Sequence, residues 1–457
     1  MWQIGLLLVA AFAKTAQEWK SRTIYQLLTD RFARPNGDTS PCADISNYCG
    51  GGFKGIQDHL DYITGMGFDA IWISPVPANT PGSYHGYAAQ DIYTINPYFG
   101  GEQAFIDFIQ AAHARDIWIM LDVVANHMGP VPNNNDFSIL VPFNVSSDFH
   151  NYCQINDWNN MWEVQNCWLF TLPDLDQSNT FVRTTLLDWI TWIVTKYDID
   201  GLRVDTVVEV PPDFWTEFSK AAGVFATGEV FNGDINLVAS YQGPLPSMLN
   251  YPLFFKIKDL FLYNHDMYEA RSYMYSQSAY PDQSVICNFV DNHDNARFLS
   301  INSNINRFKS ALAWSLVTLG IPIVYYGSEQ AFNGGNDPYN REPLWPYLTK
   351  TDSEMYVFLQ KAVAYRKTEQ VWNYSWVERY VDHNFYSFSR GTALAAFTNT
   401  DATIQRTIGY HPYNVGDVVC NIFWDGDCVT VTHDGVPVTL TNGEVKLYKL
   451  KSSQQVV

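Results

Sequence analysis

Eight short apolar runs recur along the first three-quarters of the chain, at residues 23–28, 70–74, 118–124, 201–207, 225–230, 248–251, 284–290 and 321–326. Several are continuously apolar rather than alternating, as parallel strands covered on both faces require. Helix-like stretches lie between them, among them 101–115, 180–197 and 305–319. Strand and helix in alternation, eight times over, predict a (β/α)8 TIM barrel of the α/β class. One connection breaks the rhythm. Roughly fifty residues after the third run are rich in Asn, Asp, Pro and Trp. A structureless loop of that length is uncommon, so the spacing predicts an inserted small domain. After about residue 376 the pattern shortens and alternates, at 385–388, 393–397, 429–431 and 436–440, which predicts a C-terminal antiparallel β-sandwich domain. The expected division is a barrel over 17–127 and 178–376, an insert over 128–177 and a β-domain over 377–457.

Three of the apolar runs break off at a carboxylate. These are Gly201-Leu-Arg-Val-Asp205, Gly228-Glu229-Val230 and Phe289-Val-Asp-Asn-His-Asp294. In a parallel barrel the strand C-termini converge on one face, where chemistry takes place. With a period of two, Arg203 and Asp205 point the same way, and the guanidinium keeps the carboxylate ionised, as a nucleophile needs. Glu229 is the candidate general acid, which requires a site that raises its pKa. Asp294 is placed to stabilise an oxocarbenium-like transition state, with His293 beside it. Together these serve a retaining glycoside hydrolase. Asp122-Val-Val-Ala-Asn126-His127 and Tyr84-His85-Gly86-Tyr87 are expected at the same mouth, where a Tyr face and His donors suit a glucose ring.

Composition narrows the setting. A net charge of −19 over 457 residues argues against nucleic acid and anionic membrane as partners and leaves room for a neutral ligand. Aromatics make up 16% of the chain, mostly as core, with some expected to stack on sugars. The apolar run 4–13, with small residues at Ala11, Ala13 and Ala16, reads as a signal peptide over 1–16 and is too short to span a bilayer. Cys42/Cys49, Cys153/Cys167 and Cys420/Cys428 are close in sequence and are expected to form three disulfides in an oxidising compartment, leaving Cys287 as a buried thiol. Two sequons, Asn144-Val-Ser146 and Asn373-Tyr-Ser375, permit N-glycosylation of a secreted eukaryotic protein.

The ordered motifs resemble those of fungal members of the α-amylase superfamily, in particular enzymes of early-diverging fungi. The matching stretches include Gly67-Phe-Asp-Ala-Ile-Trp-Ile-Ser-Pro75, Asp122-Val-Val-Ala-Asn-His127, Leu172-Pro-Asp-Leu-Asp176, Gly201-Leu-Arg-Val-Asp205, Gly228-Glu-Val230, Phe289-Val-Asp-Asn-His-Asp294 and Gly320-Ile-Pro-Ile-Val-Tyr-Tyr-Gly327. The resemblance implies Asp205 as nucleophile, Glu229 as acid/base and Asp294 as transition-state stabiliser. It implies sugar contacts at His85, Tyr87, His127, Arg203, His293, Asp337 and Arg341. It also implies a Ca2+ ion held by the side chains of Asn126 and Asp174 and the carbonyls of Gln165 and Glu209, a hard oxygen set. The expected protein is a secreted, monomeric, endo-acting α-1,4-glucan hydrolase acting on starch and maltooligosaccharides. The chain departs from the fungal pattern where Lys-His after the nucleophile is Val208-Glu209 and where a Trp is Ala88. Those changes keep two alternatives open: a 4-α-glucanotransferase, or a cyclodextrin- or pullulan-active relative. A non-catalytic scaffold stands further off, since all three carboxylates are present.

Overall fold

The computed structural model describes residues 14–451; residues 1–13, with most of the expected leader, and 452–457 lie outside the described residues. The eight apolar runs form eight parallel strands: β1 Ile24–Leu27, β2 Ala70–Ile73, β3 Trp118–Val123, β4 Gly201–Val204, β5 Phe225–Gly228, β6 Ser247–Met248, β7 Cys287–Asn288 and β8 Ile321–Tyr325. Neighbouring strands pair in sequence order, and β8 pairs with β1 through Ile24 and Ile323. A parallel bridge between Leu249 and Cys287 closes the barrel between β6 and β7. Inward residues such as Ile24, Ala70, Trp72, Trp118, Met120, Phe225, Cys287, Ile321 and Ile323 form one buried cluster. The barrel interior is thus a packed core, with Trp19 among the cluster and its indole donating to Asp200 O at 3.3 Å.

Two of the strands have only two residues. Of the run 248–251 only Met248 is strand, because Asn250 caps a new helix, Tyr251–Phe261, with Pro252 in its first turn. The run 284–290 pairs only at Cys287–Asn288. Beyond it the backbone is carried by side chains: Asn340 Nδ2 and Arg341 Nε both donate to His293 O.

The long connection after β3 folds around short 3-10 turns and the helix Met161–Asn166, with Cys153 bonded to Cys167. It returns to the barrel mouth through a bridge between His127 and Asp174, with Leu175 N donating to Asn126 O at 2.8 Å. After the helix Glu354–Thr368 come β9 Trp376–Val381, β10 Phe385–Arg390, β11 Ala393–Thr398, β12 Ile404–Ile408, β13 Val418–Asn421, β14 Cys428–Thr430, β15 Val436–Leu440 and β16 Lys446–Leu450. Six form one sheet in the order β9-β10-β11-β16-β13-β14, and β12 pairs with β15. Leu394, Val419 and Tyr448 from the large sheet meet Ile408, Val436 and Leu440 from the small one in a separate core, the expected sandwich. Trp314, on the helix Ile305–Val317 between β7 and β8, stacks on Tyr386 at 5.3 Å and packs on Phe388 and Phe397. Cys42 is bonded to Cys49 and Cys420 to Cys428, while Cys287 is the buried free thiol, its pKa pushed up to about 11 by burial.

Candidate active site

The C-terminal ends of β3, β4 and β5 deliver three carboxylates to one guanidinium. Asp122 pairs with Arg203 across the β3–β4 register, and Arg203 with Thr227 across β4–β5. Arg203 Nη1 donates to Asp122 Oδ1 at 2.9 Å and to Asp205 Oδ1 at 2.6 Å, and Nη2 lies 2.8 Å from Glu229 Oε2. All four side chains are buried. A charge-assisted fork of this kind fixes Asp205 and Glu229 against each other.

The same guanidinium acts unequally on its partners. Burial alone would raise Asp205, but Arg203, with help from His127, outweighs it and holds the carboxyl below its ordinary range. For Glu229 burial wins, supported by the neighbouring charges of Asp205 and Asp294, and its pKa is pushed up to about 8. Burial likewise lifts Asp122 to about 7. Two adjacent carboxyls therefore differ at neutral pH: Asp205 is ionised and Glu229 holds a proton.

Asp294 completes the ring of acids. His293 Nε2 lies 3.3 Å from Asp294 Oδ2, and Arg341 Nη2 lies 3.7 Å from Asp294 Oδ1. Gln26 Nε2 is 2.9 Å from His293 Nδ1, and an amide can only donate there, so the proton of His293 is on Nε2. Burial holds His293 well below its ordinary range and neutral. Asp294 is the most open of the three acids, with its side chain 37% exposed, and is raised chiefly by burial.

Tyr87 and His85 are presented by a loop between the short strands Pro77–Asn79 and Ala89–Ile95. Gly86 turns that loop at φ +94, where a Cβ would lie 2.5 Å from Pro75 O. Tyr87 lies flat on His293, with centroids 5.2 Å apart, and donates to Asp122 Oδ2 at 2.7 Å. His127 Nε2 donates to Tyr87 O at 3.1 Å. Arg341 Nη1 pairs with Asp337 Oδ1 at 3.0 Å and donates to Tyr84 OH at 3.3 Å, while Arg31 lies over the Tyr84 ring, 3.7 Å from its centroid. Every residue named from the sequence for catalysis and sugar contact lies in this connected network.

Several members carried no sequence signal of their own. Tyr251 OH donates to Glu229 Oε1 at 3.0 Å and accepts from Asn292 Nδ2 at 3.0 Å. It closes the run 248–251, which reads as strand and instead starts a helix capped by Asn250. Thr206 donates to Asp205 Oδ2 at 3.1 Å and has φ +48, a rare conformation for a β-branched residue. Asp122 could have been found, since a carboxylate inside an apolar strand two residues from inward Met120 requires a cationic partner.

The four residues expected to hold a cation lie where the insert meets the barrel. Asn126 Nδ2 lies 3.2 Å from His127 Nδ1, which fixes the amide and leaves Asn126 Oδ1 buried without a partner. His150 Nδ1 lies 2.6 Å from Asp174 Oδ2. Gln165 is in the last turn of Met161–Asn166, where carbonyls have no intrahelical donor. Glu209 is buried and its Oε2 has no partner. An orphaned amide oxygen beside a carboxylate and free carbonyls fits a hard divalent cation. A different acidic group, Asp259, His265 and Glu269, lies on the outer helices and is spanned by Lys256 at 2.9 and 2.7 Å.

Residues 26–369 match the family model described as alpha amylase, catalytic domain. The chain is 36% identical over 461 residues to an alpha-amylase of Saccharomycopsis fibuligera, covering 95% of this chain and 92% of that one. It is 40% identical over 361 residues to alpha-amylase 1 of Lipomyces kononenkoae; that match covers 76% of this chain and 58% of the relative. A solved alpha-amylase from Malbranchea cinnamomea superposes with a TM-score of 0.90 at 34% identity, covering 95% of this chain and 97% of that one.

Proposed function

The chain belongs to the alpha-amylase catalytic-domain family, and from that premise we propose that it is a secreted, endo-acting α-1,4-glucan hydrolase that cleaves starch and maltooligosaccharides with retention. One observation carries the reading: a single buried guanidinium, Arg203, bridges an ionised Asp205 and a protonated Glu229. Held on adjacent nitrogens of one fork, the two carboxyls suit the close spacing of a double displacement, about 5–5.5 Å, rather than the wider gap that admits a water between them.

In the first step Asp205 attacks the anomeric carbon while Glu229 gives its proton to the leaving glycosidic oxygen. A glycosyl ester forms on Asp205 and the glycosidic C–O bond breaks. In the second step Glu229, now a carboxylate, takes a proton from water, which displaces Asp205 and restores both groups. Asp294 supports the charge that develops on the ring. Tyr87 offers its face to the sugar, His85, His293 and the Asp337–Arg341 pair supply donors and acceptors to its hydroxyls, and His127, both of whose ring nitrogens are engaged, holds Tyr87 in place at the sugar. Each of these roles is assigned here by position in the network.

Asn126, Asp174 and the carbonyls of Gln165 and Glu209 would hold Ca2+. The ion would join the insert to the barrel mouth and would take no part in bond making. Three disulfides agree with an extracellular location, and no described helix is long and apolar enough to cross a membrane. The proposed mechanism uses side chains of one chain only. Relatives named as alpha-amylases favour hydrolysis over glucanotransfer.

Timed product analysis on maltoheptaose tests the reading, with Glu229→Gln as blank. Products only shorter than seven units support it. Early chains longer than seven would replace it with transfer, and no conversion by the parent enzyme would refute catalysis altogether.

A further inference from the structure

A cavity of about 640 Å3 opens where the barrel meets the C-terminal sandwich. It includes Ser284 and Leu319, which precede β7 and β8, so it lies toward the strand N-termini, at the end of the barrel opposite Asp205 and Glu229. Its walls are aromatic: Tyr275 from the helix Met267–Ser276, Tyr280 just beyond it, and Trp372, Tyr374 and Trp376 from the segment leading into β9. Tyr275 is 57% exposed and Tyr374 48%. Tyr275 meets Trp376 edge-on at 5.5 Å, and Trp376 Nε1 is buried without a hydrogen-bond partner. Exposed aromatics gathered around a concavity call for an occupant.

Asn373 lies among these rings and heads the sequon Asn373-Tyr-Ser375. It is exposed, and its Nδ2 is engaged only at the surface, by Gln370 Oε1 at 3.2 Å. The backbone around it is fixed. Tyr374 N donates to Val371 O, and Arg390 Nε donates to Tyr374 O at 2.8 Å. The ring of Tyr374 rests on Gly391, where a Cβ would lie 3.0 Å away.

We propose that Asn373 carries an N-linked glycan whose first sugars lie in this cavity against Tyr275, Tyr374 and Trp376. The C–H faces of a pyranose match the aromatic walls, and its acetamido and hydroxyl groups match Asp282 and Gln283 at the rim. The inference rests on the secretory route proposed above. There a lipid-linked oligosaccharide diphosphate supplies the sugar. The C1–N bond to Asn373 Nδ2 forms, the C1–O bond to the diphosphate breaks, Nδ2 gives up one proton and the lipid diphosphate leaves. The bound sugars then join the barrel to the β-domain.

The test uses the full chain secreted from a yeast host. Peptide mapping should find Asn373 occupied. Asn373→Gln, and independently Ser375→Ala, should lower Tm by about 2 °C or more and increase binding of an apolar dye. Asn144→Gln, at an exposed sequon that does not line the cavity, should change neither. A bare Asn373 in protein recovered from the medium overturns the proposal and leaves secretion standing. So does an occupied Asn373 whose removal shifts neither Tm nor dye binding. Displacement of the dye from Ser375→Ala by maltoheptaose would assign the cavity to the substrate instead. Failure to reach the medium, with both sequons bare, would count against the secretory route and the glycan together.

Discussion

Protonation of Glu229 sets the upper pH limit of the proposed reaction. Its pKa in the fold lies near 8, above the ordinary 4.5 of a glutamic acid, so the acid form persists through neutrality and is lost as pH rises through about 8. The profile of kcat/KM should therefore fall on its alkaline side near that value. Tyr251 donates to the Glu229 carboxyl and so favours its charged form. Tyr251→Phe should move the alkaline limb to higher pH; a move to lower pH would contradict this assignment. Glu229→Gln should lower kcat by about 10^3-fold or more and leave affinity for maltoheptaose nearly intact, as titration calorimetry can check. Arg203→Met should damage the fold as well as the chemistry. It leaves the ionised Asp205 buried without its counter-charge, a loss of about 3–5 kcal/mol measurable by denaturant unfolding.

At the scale of the element, the sequence pattern marked strands better than their ends. Seven-residue runs at 201–207 and 284–290 became strands of four and two residues, because the chain at those points turns to present side chains rather than to extend the ladder. Arg203, Asp205 and Glu229 were legible because strand period and strand order place them without further information. Tyr251 and Thr206 were not: Tyr251 ends an apolar run that reads as strand but starts a helix at the Asn250 cap, and Thr206 takes a left-handed conformation that β-branched residues rarely adopt. The proposed cation site comes from the resemblance alone. Its physical mark, the orphaned Asn126 Oδ1, appears once His127 is seen to claim the amide nitrogen. Chelation should lower Tm by several degrees, with recovery on adding Ca2+, because the ion binds the folded chain alone. Asn126→Ala should show the lower Tm from the start and little further response to chelator; a full response would misplace the site.

Over the whole molecule, the barrel and the sandwich are joined by a few buried groups. Trp314 packs against three aromatic residues of β10 and β11. Within the barrel, Arg366 of the helix Glu354–Thr368 donates to the carbonyls of Leu316, Lys20 and Gly320. Trp314→Ala should cost about 3–5 kcal/mol, seen as a lowered unfolding midpoint in a denaturant titration. The antiparallel strands begin at Trp376, where the apolar periodicity changes, but nothing in that pattern indicated which helix the sandwich covers. That is decided by long-range packing of single large side chains.

The central claim is that Asp205 and Glu229 act in two displacements at one anomeric carbon. The most direct measurement is the configuration of the reducing ends released from maltoheptaose, read by proton NMR before mutarotation. The account predicts that the α-anomer appears first. First appearance of the β-anomer would contradict it, because a single displacement by water would then have replaced the ester on Asp205.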